Sequence, residues 1–263
     1  MLPNLYQLAE AVRQAALEEI VPRLFGAQVA VKQDGSLVTE ADLAMNQRLS
    51  TWLQQEWPEI QFLSEEMESA EQEKLLSTAD LLWCLDPLDG TSNFAAGFPL
   101  FATSLALIKQ GQVVLAVTYD PIRDELFTAE LGKGAWLNGQ VLHCHAIDFP
   151  MKKTVALVDF KRLPDKLREV LANHPPYGSQ RNLGTCALEW AWMAANRGHL
   201  YLHGGMKIWD LAAGSLILSE AGGDACTLQG EPVFKASMQT RSAVISPDKQ
   251  LFQTWFAYLQ DHQ

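Results

Sequence analysis

Apolar residues at Leu5, Leu8, Val12, Ala15, Ala16, Ile20 and Leu24 recur at three- and four-residue steps. This spacing predicts a helix over Leu5–Leu24 with one buried face. The segment Lys32-Gln-Asp-Gly-Ser36 is polar and contains glycine, and reads as a loop. Thr39-Glu-Ala-Asp42 then opens a second helix running to about Gln55, with Thr39 as N-cap and acids at the positive end of the helix dipole. Ile60–Leu63 predicts a short strand ending at Ser64-Glu-Glu66, and Leu81–Leu85 is an unbroken apolar run suited to a strand buried on both faces, stopping at Asp86. Alternation over Ala102–Lys109 and Val113–Tyr119, joined at Gln110-Gly111, predicts a hairpin, which Glu125–Ala129 and an Asn138-Gly139 turn continue.

In the second half, Thr154–Val158, His199–Leu202, Asp224–Thr227 and Ala243–Ile245 have strand character, and helices are expected at Pro164–Ala172, Thr185–Asn196, Asp210–Ala221 and Asp248–Leu259. Residues 159–180, with Pro164, Pro175 and Pro176, are the least defined. Helices alternate with strands throughout, without linker or repeat, which predicts a layered α/β or α+β arrangement.

Composition narrows the classes. The 263 residues are 48% hydrophobic, enough for a sizeable core and too apolar for disorder. The formal net charge of −11 argues against nucleic acid as the main partner. It is unevenly spread: Glu56–Asp89 holds ten acids against one base, Lys74, and so carries −9 of the −11. Glu68–Glu73 reads as a solvated helix or loop. Cys84, Cys144, Cys186 and Cys226 lie far apart with no Cys-x-x-Cys pair, as expected of free thiols in a reducing compartment. Neither a secretory leader nor an apolar span of membrane length is visible, so a cytoplasmic protein without membrane contact is expected.

Candidate chemistry sits in Asp86-Pro-Leu-Asp-Gly-Thr-Ser-Asn-Phe94. Two carboxylates three residues apart follow a buried strand, where charge without a partner is costly. Gly90 permits close approach of backbone to a ligand, and Thr91 and Ser92 begin a helical turn whose N–H groups suit an anion. Paired carboxylates hold a hard cation such as Mg²⁺; an Asx-turn capped by Asp86 is the plainer alternative. Glu65 stands at another strand end, Asp42 in a first helical turn, and Asp210 at a helix start where an isolated Asp is ordinarily an N-cap.

Four segments carry a resemblance: Leu37-Val-Thr-Glu-Ala-Asp42, Ser64-Glu-Glu66, Trp83-Cys-Leu-Asp-Pro-Leu-Asp-Gly-Thr-Ser-Asn-Phe94, and Trp209-Asp-Leu-Ala-Ala-Gly214 with Glu220-Ala-Gly-Gly223. In this order they resemble the inositol monophosphatase family of Mg²⁺-dependent, lithium-sensitive phosphatases. The resemblance implies an α+β sandwich of αβαβα layers, like that of inositol monophosphatase and fructose-1,6-bisphosphatase. It also implies one domain over residues 1–263, with a metal-binding half to about 150 and a substrate half after it, and a homodimer.

It further implies hydrolysis of a small phosphomonoester, inositol monophosphate by default. Histidinol phosphate, fructose 1,6-bisphosphate and 3′-phosphoadenosine 5′-phosphate remain alternatives, and a regulatory role with transcription or RNA-processing partners is a reading from a different class. Two or three Mg²⁺ are implied: Glu65, Asp86 and the Leu88 carbonyl for one, Asp86, Asp89 and Asp210 for another, and a weaker third near Glu65. Thr91, paired with Asp42, would orient and help deprotonate the attacking water, and the N–H groups of Gly90 and Thr91 would hold phosphate oxygens. Leu88 and Asp89 would face the substrate together with Asp210. Gly184, Thr185 and Cys186 would line the pocket, Cys186 as a wall residue and not a nucleophile. His203 falls where inositol phosphatases often carry a Glu that touches the sugar hydroxyls, so it is either a substrate contact or a surface histidine. Lys207 and Arg181 could favour a second anionic group or form surface ion pairs.

Overall fold

The structure is a computed structural model and describes every residue except Met1, Ala27, Gln33 and Asp34; the last two belong to the expected 32–36 loop and lie outside the described residues. Its elements are α1 (Leu5–Glu19), β1 (Val29–Val31), β2 (Leu37–Thr39), α2 (Glu40–Glu56), β3 (Gln61–Ser64), α3 (Ser69–Thr78), β4 (Leu81–Asp89), α4 (Thr91–Ala95), β5 (Ala102–Lys109), β6 (Gln112–Asp120), β7 (Glu125–Glu130), β8 (Gly134–Leu137) and β9 (Gln140–Val141). There follow β10 (Val155–Asp159), α5 (Asp165–Asn173), β11 (Ser179–Arg181), α6 (Cys186–Ala194), β12 (Leu200–Met206), α7 (Ile208–Glu220), β13 (Asp224–Cys226), β14 (Arg241–Ser246) and α8 (Lys249–His262).

A seven-stranded sheet runs β3-β4-β5-β6-β7-β8-β9 and a five-stranded sheet runs β11-β10-β12-β14-β13. Alternation along each strand builds the layers. Trp83 and Leu85 of β4 face α1 and α2, packing with Leu8, Val12, Met45 and Leu49. Leu82 and Cys84, one residue out of phase, face α6 and α7. In the second sheet Tyr201 and Ile245 join that same middle layer, whereas Leu200, Leu202 and Val244 turn outward to Leu167, Leu171, Trp255 and Leu259 of α5 and α8. The order helix, sheet, helix, sheet, helix is the αβαβα sandwich. α6 and α7, covered on both sides, are apolar nearly all round, as buried helices are.

Several expected boundaries change. The first helix ends at Glu19 and passes into a single 3₁₀ turn, Val21–Arg23, because Pro22 cannot donate to the helix ladder. The acidic run Glu68–Glu73 becomes the N-cap and first half of α3, which the charge pattern alone left open between helix and loop. β12 continues past Leu202 to Met206, and the 159–180 segment holds α5 and β11. The largest correction concerns β4, which does not stop at Leu85 but continues, buried, to Asp89.

Candidate active site

β3 and β4 are parallel, with Ser64 beside Leu85, so both strands deliver their C-terminal ends to the same edge. The Glu65 N–H still bonds the Leu85 carbonyl at 3.1 Å, which sets Glu65 next to Asp86. Along β4, Asp86 pairs with Ser104 and Asp89 with Ala102, so three steps on β4 match two on β5. Residues three apart in a regular strand point to opposite faces; the one-residue bulge at Pro87-Leu88 reverses that parity and aims both carboxylates the same way. Thr103 Oγ1 donates to the Pro87 carbonyl at 2.9 Å and fixes the bulge.

Asp210 comes from the opposite layer. It is not the N-cap of α7 but its third residue, and its Oδ2 accepts from the Lys207 N–H at 2.7 Å. One carboxylate oxygen each from Asp86, Asp89 and Asp210 lie within 4.8 Å of one another. Asp89 is anchored at the start of α6, where its Oδ2 accepts from Thr185 Oγ1 at 2.5 Å and from the Ala187 N–H at 2.8 Å.

Asp42 reaches the cluster from α2. Thr39 is the N-cap, and Asp42, in the reciprocal position of a capping box, accepts from the Thr39 N–H at 2.8 Å. The other Asp42 oxygen faces Thr91 Oγ1 at 3.1 Å, and that hydroxyl also lies 3.0 Å from the Leu88 carbonyl. Its single proton serves one acceptor at a time. Gly90 has φ +89°, and a Cβ there would stand 3.0 Å from the Leu100 carbonyl oxygen and 3.1 Å from Thr185 Cβ, so both conformation and space require glycine.

The electrostatics follow from burial. Asp210 is pushed up to about 8, chiefly by desolvation and then by the charge of Asp89. Glu65 is raised to about 7 by burial, with Lys32 opposing. Asp86 stands well above the usual carboxylate range through burial and the charges of Glu65, Asp89 and Asp210. Asp89 and Asp42 are also raised by burial, against the hydrogen bonds they accept. Buried carboxylates that crowd one another in this way call for positive charge, and an all-oxygen donor set suits a hard divalent cation such as Mg²⁺.

At the other end of the site, of the two expectations for His203, a substrate contact or a surface histidine, the second does not hold. His203 is 1% exposed. β12 and β10 pair it with Asp159, whose Oδ2 is 3.0 Å from His203 Nε2. The Gly205 N–H donates to Nδ1 at 3.1 Å, which assigns the ring proton to Nε2. Cys186 Sγ is 3.6 Å from the same Nε2, whose proton is already directed at Asp159, and burial holds the thiol well above its ordinary range. A nucleophilic Cys–His pair is thus not formed. Arg181 bonds Ser179 Oγ and the Gln180 carbonyl on its own strand, and the Lys207 N–H serves Asp210.

Several neighbours escaped sequence reasoning. Asn93 Nδ2 donates to the Leu100 and Leu183 carbonyls, tying α4 to the 183–185 loop. Glu189, buried and raised to about 8, accepts from the Leu183 N–H at 2.8 Å. A lone acid in the apolar stretch Cys186–Ala194 was the available signal for it. Lys32 binds Glu65 and Glu66 across about thirty residues of chain, and the sequence offered no signal for that pairing.

Fold and acid cluster together define a class: layered αβαβα proteins with a cluster of buried carboxylates between their sheets. The chain belongs to the inositol monophosphatase family, whose profile matches residues 1–263. It is 31% identical over 252 residues to inositol monophosphatase 1 of Bos taurus, covering 93% of this chain and 87% of that protein. It is 33% identical over 213 residues to Nus factor SuhB of Pasteurella multocida, covering 77% and 76% of the two chains. The crystal structure of extragenic suppressor protein suhB from Bartonella henselae superposes with a TM-score of 0.82 at 31% identity, covering 97% of this chain and 100% of that one. Among the described residues no helix is long and apolar enough to cross a membrane.

Proposed function

We propose that this protein hydrolyses a small phosphomonoester, inositol monophosphate first among candidates, with Mg²⁺ held by Glu65, Asp86, Asp89, Asp210 and the Leu88 carbonyl. The observation that carries this reading is the meeting of Asp86, Asp89 and Asp210 oxygens within 4.8 Å, the β4 bulge turning the first two to one side. Bound Mg²⁺ supplies Lewis acidity toward phosphate oxygens and a more acidic water.

The chain's own groups do the rest. Thr91 Oγ1, donating to Asp42 or to the Leu88 carbonyl, leaves its lone pairs to orient the attacking water. Asp42, raised by burial, accepts the proton through that hydroxyl. Gly90 and Thr91 N–H groups bind phosphate oxygens, and the Gly184–Cys186 loop forms the alcohol side, backed from beneath by His203, whose imidazole Asp159 holds in place. The protein acts as a cytoplasmic homodimer in this reading.

Relatives named Nus factor SuhB support a second reading, work through a protein partner, and the acid cluster makes catalysis the first of the two. The test is phosphate release from inositol monophosphate, histidinol phosphate, fructose 1,6-bisphosphate and 3′-phosphoadenosine 5′-phosphate. Release from at least one with Mg²⁺, lost in EDTA and reduced by lithium, is expected. Turnover that persists in EDTA, or none with any of the four, overturns the proposal.

A further inference from the structure

Glu189 stands on α6 among Ala187, Leu188, Trp190 and Ala191, all buried, and is itself 3% exposed. An acid in such a place is costly unless its oxygens are occupied, and no step of the proposed chemistry uses it. Its Oε1 accepts from the Leu183 N–H at 2.8 Å, and its carboxyl also hydrogen-bonds Tyr201 of β12. In a capping box the acid at the third helical position reaches the N-cap amide. Glu189 is the fourth residue of α6, after the N-cap Thr185, yet it reaches past that residue to an amide two positions before it.

Both polar groups of Leu183 are held. Its carbonyl accepts from Asn93 Nδ2 at 2.7 Å, and the other proton of that nitrogen goes to the Leu100 carbonyl at 2.8 Å. Asn93 belongs to α4, which begins at Thr91 directly after Gly90. Gly184, next along the chain from Leu183, has φ +72° and packs on the Asn93 amide, where a Cβ would stand 3.3 Å from Oδ1. Glu189 from α6 and Asn93 from α4 thus close a clamp on Leu183. Through it the proposed phosphate-binding turn, Gly90 and Thr91, is joined to the proposed alcohol wall, Gly184–Cys186.

We propose that Glu189 is a positioning residue which, with Asn93, fixes the Gly184–Cys186 wall at a set distance from the phosphate-binding turn. It touches neither the substrate nor the reacting atoms. A wall already held in place receives the alcohol without first having to be ordered. Ground state and transition state share that advantage, so it is felt in KM and not in kcat. Asp89 is fastened separately, by Thr185 Oγ1 and the Ala187 N–H at the start of α6. The inference rests on the phosphatase reading above.

Glu189→Leu leaves the Leu183 N–H without its acceptor. It is assayed in the full chain, well below the melting temperature, with whichever of the four phosphomonoesters wild type hydrolyses best. KM should rise about tenfold, the order of one lost hydrogen bond that leaves its partner unpaired, with kcat changed far less. Burial raises Glu189 to about 8, so the acid is mostly uncharged at neutral pH. Glu189→Gln, neutral and still an acceptor, should therefore restore the wild-type KM. Isothermal titration with MgCl₂ alone should give one affinity for all three proteins. Glu189→Met replaces Glu189→Leu if the latter does not give a cooperative melt. A lower melting temperature with KM unchanged, an equal rise of KM in Glu189→Gln, or Mg²⁺ affinity that falls along with KM overturns the positioning role and leaves the proposed function standing. No phosphate release by wild type from any of the four removes both readings.

Discussion

At the scale of single residues, the proposed cation site depends on charge more than on shape. Asp89 accepts from Thr185 Oγ1 and the Ala187 N–H on one oxygen and faces Asp86 and Asp210 with the carboxylate as a whole. Asp89→Asn keeps the volume and an acceptor for the α6 amide while removing the charge. Phosphate release is expected to fall at least about a hundredfold, beyond what altering an outer partner of a metal ligand costs, with the circular dichroism spectrum preserved. Near-wild-type turnover would show that Asp89 holds no ion. Asp86 and Asp89 were legible in the sequence because ionised groups after a buried strand need a partner. Lys32, Glu66 and Glu189 were not, because their partners come from other elements. His203 was legible as a position but not as an environment: only the β10–β12 register reveals that Asp159 stands beside it.

At the scale of elements, apolar periodicity gave the helices other than α3 and α4 and most strands, because each buries a defined face. It could not give the β4 bulge. The apolar run ends at Leu85, yet pairing with β5 resumes at Asp89 after an extra residue, and that irregularity alone turns the two carboxylates to one side. The packing of α6 on α7 was equally hidden. At Gly214 a Cβ would stand 2.4 Å from Trp190 Cβ and 2.6 Å from Trp190 Cγ, atoms near the backbone of a fully buried residue that cannot swing away. Ala in place of Gly within a helix gains about 1 kcal/mol of propensity, whereas forcing apart a packed helix pair costs about 1–3 kcal/mol and more where the backbone must shift. Gly214→Ala is therefore expected to lower the melting temperature despite the better helix former. Because α7 carries Asp210, it should also weaken Mg²⁺ binding. A melting temperature equal to or above wild type would mean that α6 and α7 separate more easily than this contact implies.

At the scale of the whole molecule, the layers explain why so much negative charge is tolerated. Of the net −11, the part carried by Asp42, Glu65, Asp86, Asp89 and Asp210 lies between α2, the ends of β3 and β4, and α7, rather than on a solvated face. Burial holds each of these acids above its ordinary range, Glu65 at about 7 and Asp210 at about 8. Unfolding returns them to about 4. Between those values the folded chain binds more protons than the unfolded one, so the ion-free protein loses stability as pH rises from about 4 toward 8. In the proposed function Mg²⁺ would reverse this by binding the ionised acids of the folded state alone, which adds about 2.7 kcal/mol at a hundred times the dissociation constant. In EDTA the melting temperature should therefore fall between pH 5 and pH 8. Saturating Mg²⁺ should raise it more at pH 8, where the cluster is ionised, than at pH 5, where protons compete for the same oxygens. Calorimetry at both pH values checks this, with the Asp89→Asn variant as the comparison. A flat ion-free profile, or an equal Mg²⁺ gain at both pH values, would mean that these carboxylates do not carry the cation site on which the proposed chemistry depends.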